Sequence, residues 1–148
     1  MTETVTLVGA GPGGAELLTC GGGAALRQAD AVVYDRLVDE SILDLIPKGA
    51  ERICVGKKMG HHPVPQDEIN ALLVRLARQG KRTVRLKGGD CYLFGRGGEE
   101  CEYLKAHGVP FRVLPGVTSA LAAPAFAGIP VTHRDFCSSV HIVTAHAR

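Results

Sequence analysis

Apolar and polar positions along this chain alternate between two periods. Short β-branched runs predict strands at 5–8, 31–34, 52–55, 82–87 and 111–114. Between them the spacing predicts helices at 16–28, 39–46, 66–78, 98–107 and 117–127. The helix at 66–78 has the clearest stripe: Ile69, Leu72, Leu73, Leu76 and Ala77 fall on one face. Pro65 precedes it, Asp67 and Glu68 sit in its first turn, and Gly80 follows its end. Pro47 and Gly49 stop the shorter helix before it, and Pro124 predicts a kink in the alanine-rich last one. Strands alternating with helices predict an α/β fold: a five-stranded, mostly parallel sheet with helices on both faces.

In such sheets ligands gather at the carboxyl ends of the strands. That rim carries GAGPGG, YDRL, GKK, KGGD and PGVTS, so polar and glycine-rich residues collect on one side of the molecule. The stretch 138–144 reads as a further strand with nothing after it to complete a layer. The expected organisation is an α/β domain over 1–131, with 132–148 opening a second, truncated α/β domain. The orphan strand would lie free or pair with another chain.

Composition narrows the function classes. The 148 residues are a one-domain length, with 45% apolar and 22% charged residues. A net charge of +2 without a lysine/arginine block, and aromatics at only 5%, argue against a nucleic-acid partner. No apolar run approaches the roughly 18 residues of a membrane span, and Met1-Thr2-Glu3-Thr4 is no signal peptide, so a cytoplasmic, membrane-free protein is expected. Five cysteines without a C-x-x-C pair read as reduced thiols rather than a disulfide or zinc framework.

Two glycine loops carry the candidate chemistry. Gly9, Gly11 and Gly14 fit the dinucleotide pattern G-x-G-x-x-G after a strand, and Asp35 stands where an acid could meet a ribose. Pro12 weakens that reading, because it removes an N–H that a pyrophosphate would use. The second loop, Gly88-Gly89-Asp90, combines open backbone with a carboxylate that suits an amine or hydroxyl better than a phosphate. Other patterns lead nowhere: His-Arg-Asp at 133–135 lacks a downstream DFG, no P-loop is present, and His61-His62 lacks metal-ligand partners.

Taken together, VGAGPG, YDRLV, VPQDEIN, RLKGGDCYLFGRGGEE, LPGVTSA and AGIPVTHRD run in register from Val5 to about His146. In this the chain resembles the S-adenosylmethionine-dependent tetrapyrrole methyltransferases. The resemblance implies a two-domain α/β enzyme, a homodimer, that binds S-adenosylmethionine as methyl donor and releases S-adenosylhomocysteine. Its nearest branch implies methylation of uroporphyrinogen III at C2 and C7, giving precorrin-2 for sirohaem and cobalamin. Carried over by position, Pro12, Gly88, Gly89, Asp90, Leu93, Thr118 and Ser119 would contact the donor. Asp35 would be the proton acceptor and Lys57 the proton donor. No metal is implied.

The chemistry suits these residue types. Methyl transfer relies on positioning, and an alkylated pyrrole carbon must then lose a proton, which a carboxylate such as Asp35 can accept. The substrate carries many carboxylates, which Arg36, Arg96 and Arg134 could pair with. Three departures from the family pattern stand out. Gly14-Ala15 replaces an aspartate-proline pair, Cys91 replaces a proline, and Cys20-Gly21-Gly22-Gly23 replaces a stretch in which only Gly22 matches. Each extra glycine in a helix costs roughly 0.5–1 kcal/mol against alanine, so a weakened first helix is expected. A sister methyltransferase acting on a later corrin precursor, a donor-binding module without turnover and, last, a dehydrogenase remain as alternatives.

Overall fold

A computed structural model describes residues 2–56 and 64–145. Its centre is a wholly parallel sheet of five strands: β1 (Val5–Gly9), β2 (Ala31–Tyr34), β3 (Glu51–Cys54), β4 (Thr83–Lys87) and β5 (Phe111–Leu114). Their spatial order is β3-β2-β4-β1-β5; the five parallel strands are the α/β sheet that the sequence pattern predicts. The helices are α1 (Cys20–Arg27), α2 (Glu40–Leu43), α3 (Gln66–Arg78), α4 (Gly97–Ala106) and α5 (Ser119–Phe126). Because side chains alternate along a strand, each strand feeds two cores. Val5, Leu7, Ala31 and Val33 meet Leu73 and Ala77 of α3 and Leu104 of α4 on one face. Val8, Val32, Val84 and Leu86 meet Ala25 and Leu26 of α1 and Ile42 of α2 on the other. No helix among the described residues is long and apolar enough to cross a membrane.

Two predicted elements differ. The helix expected over 16–28 is broken: Ala15–Leu17 make one 3-10 turn, Leu18 and Thr19 are extended, and α1 starts afresh. Thr19 causes the restart, since its hydroxyl accepts from the Gly22 N–H at 3.1 Å and caps the new helix. The whole glycine triplet lies in α1. The strand expected over 138–144 does not form. Residues 138–145 are exposed and pair with no strand, although β3 and β5 each leave one sheet edge open. The His133–Cys137 bridge, with the N–H of Asp135 donating to His133 Nδ1 and the His133 ring against Phe136, orders the turn before them.

Candidate functional site

The order β3-β2-β4-β1-β5 puts β1 beside β4, and the chain leaves these neighbours in opposite directions. After β1 it crosses to α1 on one face; after β4 it crosses to α4 on the other. A crevice opens where connections diverge in this way. The glycine loops are fitted to each other there. Gly11 N donates to Gly89 O at 3.1 Å and Gly89 N to Gly11 O at 2.8 Å. Both residues have positive φ, +79° and +65°, which a side chain rarely adopts. A Cβ on Gly9 would run into the backbone of Gly116, so the loop after β5 closes against the other two.

Asp90 ties the same loops together. Its Oδ1 accepts from the N–H of Tyr92 at 2.8 Å and of Leu93 at 3.1 Å, and its Oδ2 from the N–H of Gly116 at 3.0 Å. A carboxylate has about four acceptor sites, so these three amides leave it one more. Sequence reasoning saw in Asp90 a ligand acceptor; its larger task in the fold is to join the loop after β4 to the loop after β5.

Between these loops lies a cleft of about 300 Å³ lined by Gly11, Pro12, Leu37, Gly88, Gly89, Asp90, Leu93, Thr118 and Ser119. All seven positions carried over for donor contact line it. Gly11 and Leu37 are additions. Leu37 is 88% exposed, and a Cβ on Gly88 would stand 3.2 Å from its own Cβ, so it forms an apolar wall at the cleft mouth. Thr118 caps α5 through the N–H of Ala120, with Ser119 as the first helical residue.

Asp35 stands on the same rim, directly after β2. Its Oδ1 accepts from Arg85 Nη2 at 2.6 Å, and its side chain remains 30% exposed. Arg85 is 2% exposed and continues inward. Its Nε donates to Glu100 Oε1 at 3.0 Å, and Lys87 Nζ donates to the same oxygen at 3.0 Å. Burial works against the charge of Arg85, but Glu100 and Asp35 outweigh it and hold the guanidinium protonated above its ordinary range. Sequence reasoning missed this network. The available signal was two cations, Arg85 and Lys87, at alternate positions of a strand otherwise buried throughout.

The remaining sequence-predicted residues separate. Arg36 is an exposed residue beside Asp35, with its backbone packed against Gly56. Arg96, in a left-handed conformation at the start of α4, forks onto Glu99 at 2.9 and 2.6 Å. Arg134 is exposed in the turn bridged by His133 and Cys137. Lys57 and the His61-His62 pair lie outside the described residues. Among the described residues no cluster of His, Cys, Asp and Glu could hold a metal ion.

Comparison with known proteins decides the family. The profile of the tetrapyrrole (corrin/porphyrin) methylases matches residues 4–147. The chain belongs to this family. As a tetrapyrrole methylase it is 59% identical over 144 residues to siroheme synthase 1 of Serratia proteamaculans, covering 97% of this chain and 30% of that protein. It is 58% identical to the porphyrin biosynthesis protein HemD of Ruminiclostridium josui, covering 97% and 29%. The uroporphyrin-III C-methyltransferase of Thermus thermophilus superposes with a TM-score of 0.80 at 46% identity, covering 90% of this chain and 56% of that one. A second structure of the Thermus enzyme, at 51% identity and a TM-score of 0.72, holds S-adenosylhomocysteine and is covered to 50%, against 88% of this chain. The methylase chain thus spans about 30% of the length of the curated relatives it matches and about half that of the solved enzymes.

Proposed function

We propose that this chain supplies the donor-binding part of an S-adenosylmethionine-dependent methyltransferase that methylates uroporphyrinogen III at C2 and C7, giving precorrin-2. The observation that carries the reading is the convergence of Pro12, Gly88, Gly89, Asp90, Leu93, Thr118 and Ser119 on one cleft at the switch point of the sheet. The residues fit such a donor. The position of a Cβ on Gly89 has no atom within 4 Å, so a ligand can approach its backbone, and Asp90 keeps an acceptor site for an ammonium group. When bound, the donor supplies an electrophilic methyl group on a sulfonium. The cleft residues hold it in line with the nucleophilic carbon, and Leu37 keeps water from the mouth. Asp35, held by Arg85, takes the proton that the alkylated pyrrole carbon loses, and Lys57 is the matching proton donor. Arg36, Arg96 and Arg134 pair with substrate carboxylates, Arg96 on release from Glu99. A sister enzyme acting on a later corrin precursor is the second reading; cobalt precorrin-4 methyltransferase superposes well, at a TM-score of 0.78, but at 34% identity.

The reading includes a cytoplasmic homodimer and a second α/β domain starting near residue 132. Support comes from Phe126, Ile129, Phe136 and Val143, large apolar side chains left in solvent at that end of the chain. Calorimetry tests the donor assignment. S-adenosylhomocysteine is expected to bind saturably and NAD not at all; binding of NAD alone would overturn it. In the full-length protein, Asp35→Asn is expected to slow methylation of uroporphyrinogen III by about 100-fold or more. An unchanged rate removes Asp35 from the chemistry.

A further inference from the structure

We infer that Glu100 is a positioning residue for methyl transfer: buried beneath the carboxyl rim, it fixes Arg85, and Arg85 in turn fixes the carboxylate of Asp35. The inference rests on the reading of Asp35 given above and adds what makes that residue precise. Glu100 is wholly buried on α4. Its Oε1 accepts from three side chains on two other elements: Arg85 Nε and Lys87 Nζ of β4, both at 3.0 Å, and Gln66 Nε2 of α3 at 3.2 Å. Its Oε2 is buried without a partner among the described residues.

Arg85 is held at every nitrogen. Nε goes to Glu100, Nη1 to the carbonyls of Leu86 at 3.2 Å and Val33 at 3.4 Å, and Nη2 to Asp35. A planar guanidinium pinned in this way cannot rotate without breaking several bonds, so its outward N–H marks one position for the Asp35 oxygen. Two cations and two acids balance in the network, and only Asp35 reaches the rim. Stability alone does not call for such a device, since well-packed apolar residues of like volume serve a core as well or better. Among the described residues, the opposite face of the sheet is packed without a buried charge. The charges run from the interior to Asp35 on the rim, and that route is what assigns them to the site.

The test is made on the full-length protein with uroporphyrinogen III. Glu100→Gln keeps the shape and removes the charge. It is expected to lower kcat at least tenfold while the Kd for S-adenosylhomocysteine and the KM for the donor stay within twofold. In an Asp35→Asn background, followed by single-turnover transfer of labelled methyl, the same change is expected to cost less than twofold further. Equal losses in both backgrounds would overturn the inference. Glu100→Gln combined with Lys87→Met separates positioning from charge balance: the melting temperature is expected to recover and kcat is not. Recovery of both would reduce Glu100 to a structural counter-ion. If the unaltered protein binds S-adenosylhomocysteine and transfers methyl, while Glu100→Gln leaves kcat unchanged, the positioning role alone fails. If the unaltered protein does neither, it is the donor reading that fails.

Discussion

On the face of the sheet covered by α1 and α2, apolar side chains from β1, β2 and β4 meet apolar side chains from the helices, and closeness is set by a glycine. A Cβ on Gly22 would come within 2.9 Å of Val8 Cγ1 and of Leu18 Cδ1, so the helix rides nearer to β1 than any other residue allows. On the face covered by α3 and α4, a similar apolar core surrounds Arg85, Lys87 and Glu100. The difference teaches how one sheet divides its tasks. The first face fixes the distance between α1 and β1, and so the depth of the loop joining them. The second carries a polar line from the core to Asp35 on the rim.

The largest effect should come from breaking the charged line. Glu100→Ala leaves Arg85 and Lys87 facing one acid at the rim, and is expected to cost about 3–5 kcal/mol in urea unfolding. A loss below about 1 kcal/mol would make the two faces energetically alike. The glycine triplet comes next and splits in sign. Gly22→Ala should destabilise by about 1–3 kcal/mol through overpacking. Gly21→Ala should stabilise by about 0.5–1 kcal/mol, because it removes a helical glycine. There the new Cβ would stand 3.8 Å from the Leu114 methyls, an ordinary contact. If both substitutions shift the melting temperature the same way, the close approach of α1 to β1 is not what Gly22 provides.

Thiol chemistry sharpens the contrast with the surface. Burial pushes the Cys91 thiol up to about 12, and Cys101 is buried with it in the α3/α4 core. Iodoacetamide is expected to label exposed Cys20 and Cys137 in the native protein, and Cys91 and Cys101 only after unfolding. Early labelling of Cys91 would show that this face opens locally. The smallest effect concerns Asp30, at the amino end of β2. Its hydrogen bonds from Arg82, from the side chain and then the backbone, hold its carboxyl down at about 2 against an ordinary 3.8. A depressed carboxylate contributes stability above its unfolded value and loses it as pH falls, so the loss runs from near 4 down to about 2. Arg82→Ala should flatten that window. Because the pair is exposed, 0.5 M salt should also weaken it, while leaving the Arg85–Glu100 contact little changed.

Particular residues show what could be read from the chain. The β-branched runs gave all five strands and one at 138–144 that does not form; β1 and β4 are buried throughout, while the edge strands β3 and β5 are partly exposed. The residues of the cleft were legible in Gly88-Gly89-Asp90 and Pro12, since glycine-rich loops at the carboxyl ends of parallel strands lie on one rim. The Glu100 link was not. In the string GGEE it reads as a first-turn acid favoured by the helix dipole, indistinguishable from its neighbour Glu99, which is exposed and holds Arg96. The break at Leu18-Thr19 was hidden too, because a threonine cap competes with helix continuation on energies of about 1 kcal/mol.

The sequence by itself determined the alternation of strand and helix, the glycine loops and the chemistry available on the rim, because these depend on local period and on residue type. Tertiary structure alone decided which of those residues meet. The strand order set β1 against β4 and so built the cleft at their ends. The rotation of α4 turned Glu100 inward onto Arg85 and Lys87 and left Glu99 outside. Both outcomes rest on contacts between segments far apart in the chain, and no local pattern encodes them.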